Sequence, residues 1–304
     1  MLRSGLLAAL GLVLAAIGPA CASGQPMPTF GYDASQPLSP AFGKPRILAD
    51  GVRATPITFR SEGRPVSGEV VEGVGEKWHG GVLFVHWLGD PKTSNHTELE
   101  PDAVALAKVG VTSLLVDAPW SDPAWFPALG KSADADIRMT VNEVVDLRRS
   151  LDMLERLPGV DPDRIAVVGH DFGAMCAMML GAVDHRPLAF VFITPNDSLG
   201  DWYLWKKALP AAERDAYLGQ LSPFQMAPYV GNLSSPGGVL FQVTDQDVFV
   251  TKDKTQALFD ATPEPKSISW FHISHKMDDG NGSTASDRDT WLEGRILEPP
   301  SRRF

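Results

Sequence analysis

An aspartate stands at the apex of Gly169-His170-Asp171-Phe172-Gly173, between an apolar run that reads as a strand (Arg164 to Val168) and one that reads as a helix (Gly173 to Ala182). In the serine version of this turn, G-x-S-x-G, small neighbours permit a strained central residue whose side chain stands clear at the sheet edge. A carboxylate placed there attacks carbon without a base to deprotonate it, which a serine hydroxyl cannot do. The bland alternative is a helix-capping Asp. Glycines on both sides of the apex, directly after a complete strand, favour the catalytic reading.

Covalent hydrolysis also needs a base, an acid that orients it, and donors aimed at developing negative charge. Two histidines follow the last apolar strand, His272 and His275. His275 is preferred because it lies beyond the strand, in the loop leading to the closing helix. For the orienting acid, Asp247 is preferred to Asp245, since Val248 to Val250 then anchor the next helix. Donors are expected from the Phe172 N–H and from the loop His86-Trp87-Leu88-Gly89, with Leu88 first and Trp87 second. His86 is expected to brace this loop and border the substrate rather than transfer protons.

The elements needed to position these groups alternate: a hairpin over residues 55–71, then strand 81–85, helix 98–109, strand 111–116, helix 141–157, strand 164–168, helix 173–182 and strand 188–193. Strand 239–243, helix 252–261, strand 267–271 and helix 287–297 complete the series. Apolar strands interleaved with amphipathic helices predict an α/β fold with a mostly parallel, doubly wound sheet covered on both faces. Residues 196–238 interrupt the rhythm with Trp202, Tyr203, Trp205, Tyr217 and Tyr229, and read as a small cap above the carboxyl ends of the strands. Trp202, Tyr203 and Trp205 are the substrate-binding candidates there, the alternative being that they only pack the cap onto the body. Glu143, Asp146, Arg148 and Arg149 read as a solvated helix face. Cys176 reads as a buried helix thiol.

A basic start at Arg3, an apolar run from Gly5 to Ile17 and Ala20-Cys21-Ala22 predict a signal peptide over 1–22 and a secreted or periplasmic protein. The run is shorter than the roughly 20 residues of a membrane span, so no integral span is expected; lipid attachment at Cys21 is the minor alternative. Residues 23–52, rich in Pro, Gly and Ser, read as an extended surface leader, and 53–304 as the catalytic domain. Net charge of −10 without a Lys/Arg cluster argues against nucleic acid and for a small-molecule substrate. The histidines lack metal-ligand spacing, so neither metal nor cofactor is expected.

Residues 54–297 resemble the α/β-hydrolase superfamily, particularly its dienelactone-hydrolase-like and prolyl-oligopeptidase-like bacterial members. The resemblance is carried by His86-Trp87-Leu88-Gly89, Leu114 to Pro119, the elbow, Ser222-Pro223 before Tyr229-Val230, Gln242 with Asp247 to Val250, and His275 before Asp287-Arg288. It implies the α/β-hydrolase sheet and supports the order Asp171, Asp247, His275 as nucleophile, acid and histidine. Those relatives usually have Ser or Cys at the apex. Asp there is similar to haloalkane dehalogenases and epoxide hydrolases, which usually place Trp where this chain has Phe172 and H-G-x-P at the oxyanion loop. In epoxide hydrolases cap tyrosines usually protonate the leaving oxygen, a role open to Tyr203, Tyr217 or Tyr229.

Three functions follow. Asp171 forms a covalent ester with an epoxide or haloalkane, which His275 and Asp247 then hydrolyse; or the chain is an ester or lactone hydrolase; or it is a binding protein on a hydrolase scaffold.

Overall fold

In the strands, burial separates two regimes. Along β3 (Val52–Ser61) buried and exposed residues largely alternate, the pattern of a strand with one wet face, whereas β6 (Thr112–Val116), β8 (Ala189–Ile193) and β9 (Gly238–Thr244) are buried on every residue. Strands buried on both faces belong in a parallel sheet sandwiched by helices. That is the arrangement found in the computed structural model, which describes residues 28–74, 79–125, 132–205 and 207–297. The predicted signal segment lies outside the described residues.

The remaining strands are β1 (Ala41–Phe42), β2 (Arg46–Ala49), β4 (Arg64–Gly73), β5 (His79–Val85), β7 (Val160–His170) and β10 (Lys266–Phe271). They form a ten-stranded sheet in the order β1-β3-β4-β6-β5-β7-β8-β9-β10, with β2 pairing beside β1 on β3. β6, β5, β7, β8, β9 and β10 run parallel, and β1 to β4 join antiparallel. α2 (Ala133–Leu154) and α3 (Phe172–Val183) pack over one apolar core; α1 (Glu100–Lys108) and α8 (Ser283–Ile296) close the other. Because the six strands are parallel, the loops after β5, β7, β9 and β10 leave from one edge of the sheet, carrying Leu88, Asp171, Asp247 and His275 to a common place.

Within residues 196–238 lie α4 (Leu199–Tyr203), α5 (Ala211–Gln220) and α6 (Met226–Gly231). Lys254, on α7 (Lys252–Ala261), anchors this insertion through Asp197 at 2.7 Å and Asp201 at 2.5 Å.

Two expectations are corrected. The described part of the leader is stitched into the body: β1 and β2 pair with β3, and Phe30 and Leu38 are buried. The supposed solvated face of α2 lies beneath that leader. Arg149 is fully buried and donates to the Gln36 carbonyl (2.7 Å) and to Asp152 (2.6 Å), and Arg148 donates to the Phe30 carbonyl (2.7 Å). Asp146 pairs with Arg64 at 2.5 Å, and Glu143 is buried, which pushes its carboxyl well above the usual range. α2 also starts eight residues before the predicted helix; the overlooked signal is Ser132, whose Oγ caps the Ala135 N–H (3.1 Å).

Candidate active site

β7 ends at His170, and the chain turns into α3 through Asp171 at φ 54° and ψ −114°. A non-glycine residue with positive φ is strained and persists only where its surroundings hold it. Here the Asp171 N–H donates to the Ile193 carbonyl (2.8 Å) and its carbonyl accepts from the Met175 N–H (3.2 Å). The flanking glycines are steric requirements. A Cβ on Gly169 would lie 2.6 Å from Ala174 Cα, and one on Gly173 would lie 2.5 Å from the His86 and Val85 carbonyl oxygens.

The Asp171 side chain is fully buried. Its Oδ2 accepts the Leu88 N–H at 3.1 Å; its Oδ1 has no hydrogen-bond partner among the described residues and lies 3.4 Å from His275 Nε2. His275 is 4% exposed, and its Nδ1 meets Asp247 Oδ2 at 2.7 Å. Asp247 Oδ1 in turn accepts the N–H groups of Phe249 (2.8 Å) and Val250 (3.0 Å). The structure thus brings together the three predicted residues, in the predicted pairings, from loops 76 and 28 residues apart along the chain (171 to 247, 247 to 275).

Electrostatics follow from this placement. Burial by itself would lower the His275 pKa, but the hydrogen bond to Asp247 and the charge of Asp171 and Asp247 outweigh it and push it up to about 9. At neutral pH the ring is therefore an imidazolium between two carboxylates. Burial works to raise the Asp247 pKa, yet the bonds from His275, Val250 and Phe249 hold it below its usual value.

Of the two predicted loop donors, the Leu88 N–H points at the Asp171 carboxylate, and Trp87 is corrected, since its N–H donates to Glu98 Oε2 (2.7 Å). Among the described residues, no hydrogen bond joins the Phe172 N–H to the carboxylate. Its ring instead packs edge-on against Trp120 (4.9 Å) and Tyr203 (5.5 Å). His86 is corrected as a substrate-binding residue. It is buried, its Nε2 accepts the Ala118 N–H (3.0 Å), and its Nδ1 faces the Trp87 carbonyl (3.0 Å), so both ring nitrogens act in bracing the loop. Burial lowers its pKa, which keeps the ring neutral.

In the cap, Trp202 packs against His275 (ring centroids 5.8 Å apart), and its buried Nε1 has no hydrogen-bond partner among the described residues. Trp205 is one layer further out, against Trp202 (6.1 Å) and Phe249 (4.9 Å), and is partly exposed. Both line a cavity of about 340 Å³ together with Phe249, Lys207 and Arg214. Phe249, 5.0 Å from the His275 ring, escaped the sequence reading although it sits two residues after Asp247. Tyr203 is corrected: it is buried, and its hydroxyl contacts Thr140 Oγ1 (2.5 Å) and donates to the Asp136 carbonyl (3.1 Å). Tyr217 donates to Asp136 Oδ2 (2.6 Å) and Tyr229 to the Pro223 carbonyl (3.0 Å). None of the three hydroxyls is directed at Asp171.

No protein-family model matches the chain. A stretch of 97 residues is 34% identical to the polyketide transferase ATR5 of Stachybotrys chlorohalonatus (strain IBT 40285), covering 31% of this chain and 30% of that protein; the match spans under a third of the relative's length. Solved structures match over far more of the chain. An acetyl xylan esterase from Paenibacillus sp. R4 superposes with a TM-score of 0.67 at 17% identity, over 86% of this chain and 90% of that one. The 2,6-dihydroxy-pseudo-oxynicotine hydrolase gives 0.63 at 16%, over 80% and 68%. The alpha/beta hydrolase GrgF from Penicillium sp. sh18 gives 0.57 at 17%, over 81% and 99%. The chain has the α/β-hydrolase fold.

Proposed function

We propose that this protein is a hydrolase in which Asp171 takes an alkyl carbon from a small neutral electrophile, an epoxide before a haloalkane, and releases it to water. The observation that carries this reading is the unequal state of the two carboxylate oxygens. Oδ2 is held by the Leu88 N–H, while Oδ1 accepts no hydrogen bond among the described residues and faces His275. A nucleophile needs one oxygen fixed and the other free, and the held oxygen is where charge develops when water later attacks the ester.

Protons balance for an epoxide. Oδ1 attacks a ring carbon, the C–O bond breaks, and the His275 imidazolium gives its proton to the departing oxygen. That leaves an ester, an alcohol and a neutral imidazole freed from one of its two carboxylates. The imidazole, oriented by Asp247, then takes a proton from water as the water oxygen attacks Cγ. Collapse of the tetrahedral intermediate expels the diol, which accepts that proton, and hydrolysis of the ester restores the Asp171 carboxylate with a proton returned to His275. A nearby acid replaces the tyrosines, whose hydroxyls are engaged elsewhere. A halide needs donors instead of a proton, and the Phe172 ring supplies none, which is why epoxides come first.

A second reading, ester or lactone hydrolysis, draws on the printed names of the structural neighbours, among them acetyl xylan esterases. It conflicts with the Leu88 N–H, which already serves Asp171 where an acyl oxygen would have to sit. Export predicted from residues 1–22 would place either reaction outside the cytoplasm.

A single turnover of styrene oxide by excess enzyme in heavy-oxygen water tests the assignment. The label is expected in the Asp171 carboxylate and not in the diol. Label in the product alone, or turnover of p-nitrophenyl acetate that survives Asp171→Asn, would overturn it.

A further inference from the structure

Three segments must keep their places for Leu88 and His275 to converge on Asp171: the loop after β5, the elbow, and the loop after β10. One pair, a buried histidine and a partly buried glutamate, touches all three. Glu98, ahead of α1, accepts the Trp87 N–H on Oε2 (2.7 Å), and its Oε1 meets His170 Nδ1 at 2.5 Å. His170, next to Asp171 and 2% exposed, has Nε2 3.3 Å from the His275 carbonyl oxygen. The Trp87 ring stacks on His170 at 5.8 Å with 16° between planes, and Lys276, the residue after His275, places Nζ 5.4 Å from the Trp87 ring centre.

We propose that Glu98 and His170 are positioning residues that hold the Leu88 amide and the His275 ring on Asp171 together. Fixing the Trp87 N–H fixes the peptide one step ahead of the one that carries the Leu88 amide, which points at Oδ2. Fixing the His275 carbonyl sets the backbone from which the imidazole reaches Oδ1; the Thr194 hydroxyl, 3.4 Å from the same carbonyl, is a second support. Both fixings meet in one carboxylate–imidazole contact, so loosening either end releases both partners of the nucleophile. Reacting groups misplaced by about 1 Å lose on the order of a hundredfold in rate, and outer partners of this kind are worth roughly 10–100-fold where they orient a ligand histidine. The inference rests on the pairing of Asp171 with His275 used in the proposed function, and not on the bond cleaved.

The test is ¹⁵N-histidine NMR on the full chain from pH 5 to 10, comparing wild type with His170→Phe, which keeps a ring to stack on Trp87, and with Glu98→Ala. Glu98→Gln, an isosteric change, serves if either of these fails to fold, and Lys276→Ala, which removes the cation over the Trp87 ring, is the control. His275 is expected to titrate near 9 in the wild type and the control, and to fall toward about 6.5 in the variants as the ring leaves Asp171. Single turnover of styrene oxide should drop by about 10–100-fold in the same variants. Folded variants in which His275 titrates as in the wild type would overturn the proposal, because a pair that merely filled space would leave that ring undisturbed. If no label ever enters Asp171, the reaction assignment fails while the titration still decides the positioning role.

Discussion

The loops after β9 and β10 make the same pair twice. Asp247 meets His275 at 2.7 Å, and two residues before the one and three before the other, Asp245 meets His272 at 2.9 Å. The side chains of the inner pair are 5% and 4% exposed, those of the outer pair 32% and 79%. Contact geometry is nearly equal, yet only the inner imidazole lies against a third charge in a dry environment, and only there does the field act at full strength. Water screens the outer pair, as it does most surface ion pairs. What separates the inner pair from a surface contact is burial beside Asp171.

Removing the third charge is the strongest way to break this contrast. Asp171→Asn is expected to lower turnover by about 10⁴-fold or more, the scale seen when a covalent nucleophile is lost, and to bring the His275 pKa down from about 9. Steady-state kinetics and histidine NMR on one sample check both. Next in size, Asp247→Asn should reduce turnover by about 10³–10⁴-fold, as expected for the acid that fixes the imidazole tautomer. Asp245→Asn should change it less than about twofold. Equal losses from the two variants would mean that pairing, and not burial, defines the site.

Stability sharpens the same comparison. The His275 pKa is raised in the folded state, so its contribution is complete below the unfolded value of about 6.5 and is lost as pH rises to about 9. Urea unfolding should therefore show wild type losing at most roughly 3 kcal/mol more than His275→Gln across that window. His272→Gln should give a curve parallel to wild type. The smallest effect is expected away from both pairs. Tyr203→Phe should cost about 1 kcal/mol for the hydrogen bond to Asp136 and leave turnover within about twofold. A large loss of turnover would return the tyrosine to the chemistry.

Sequence carried much of the fold because alternation between apolar strands and amphipathic helices is local, and most of the predicted elements, the start of α2 excepted, lie near their expected places. The elbow was legible for the same reason: Gly169 and Gly173 record close backbone approaches that no side chain survives. Asp247 and His275 were legible through their positions after strands. Other readings failed where distant chain decides the surroundings. Arg149 looks like a surface charge until Phe30, Gln36 and Leu38 fold over α2. Tyr203 and His86 look available until Asp136 and Ala118 engage them. Glu98 gave no signal, since its value lies in meeting Trp87 and His170 from another loop.

By itself, then, the order of residues determined an α/β sheet with a carboxylate at its sharpest turn and the acid and histidine that follow it along the chain, because strand periodicity, glycine spacing and loop position are properties of neighbours. Tertiary structure alone decided which of two Asp–His pairs is dry, which oxygen of Asp171 is held and which is free, and that the cap tyrosines are committed elsewhere. Those outcomes depend on burial and on contacts between segments far apart in the chain, and hydrogen-bond and Coulomb energies take their size from such surroundings.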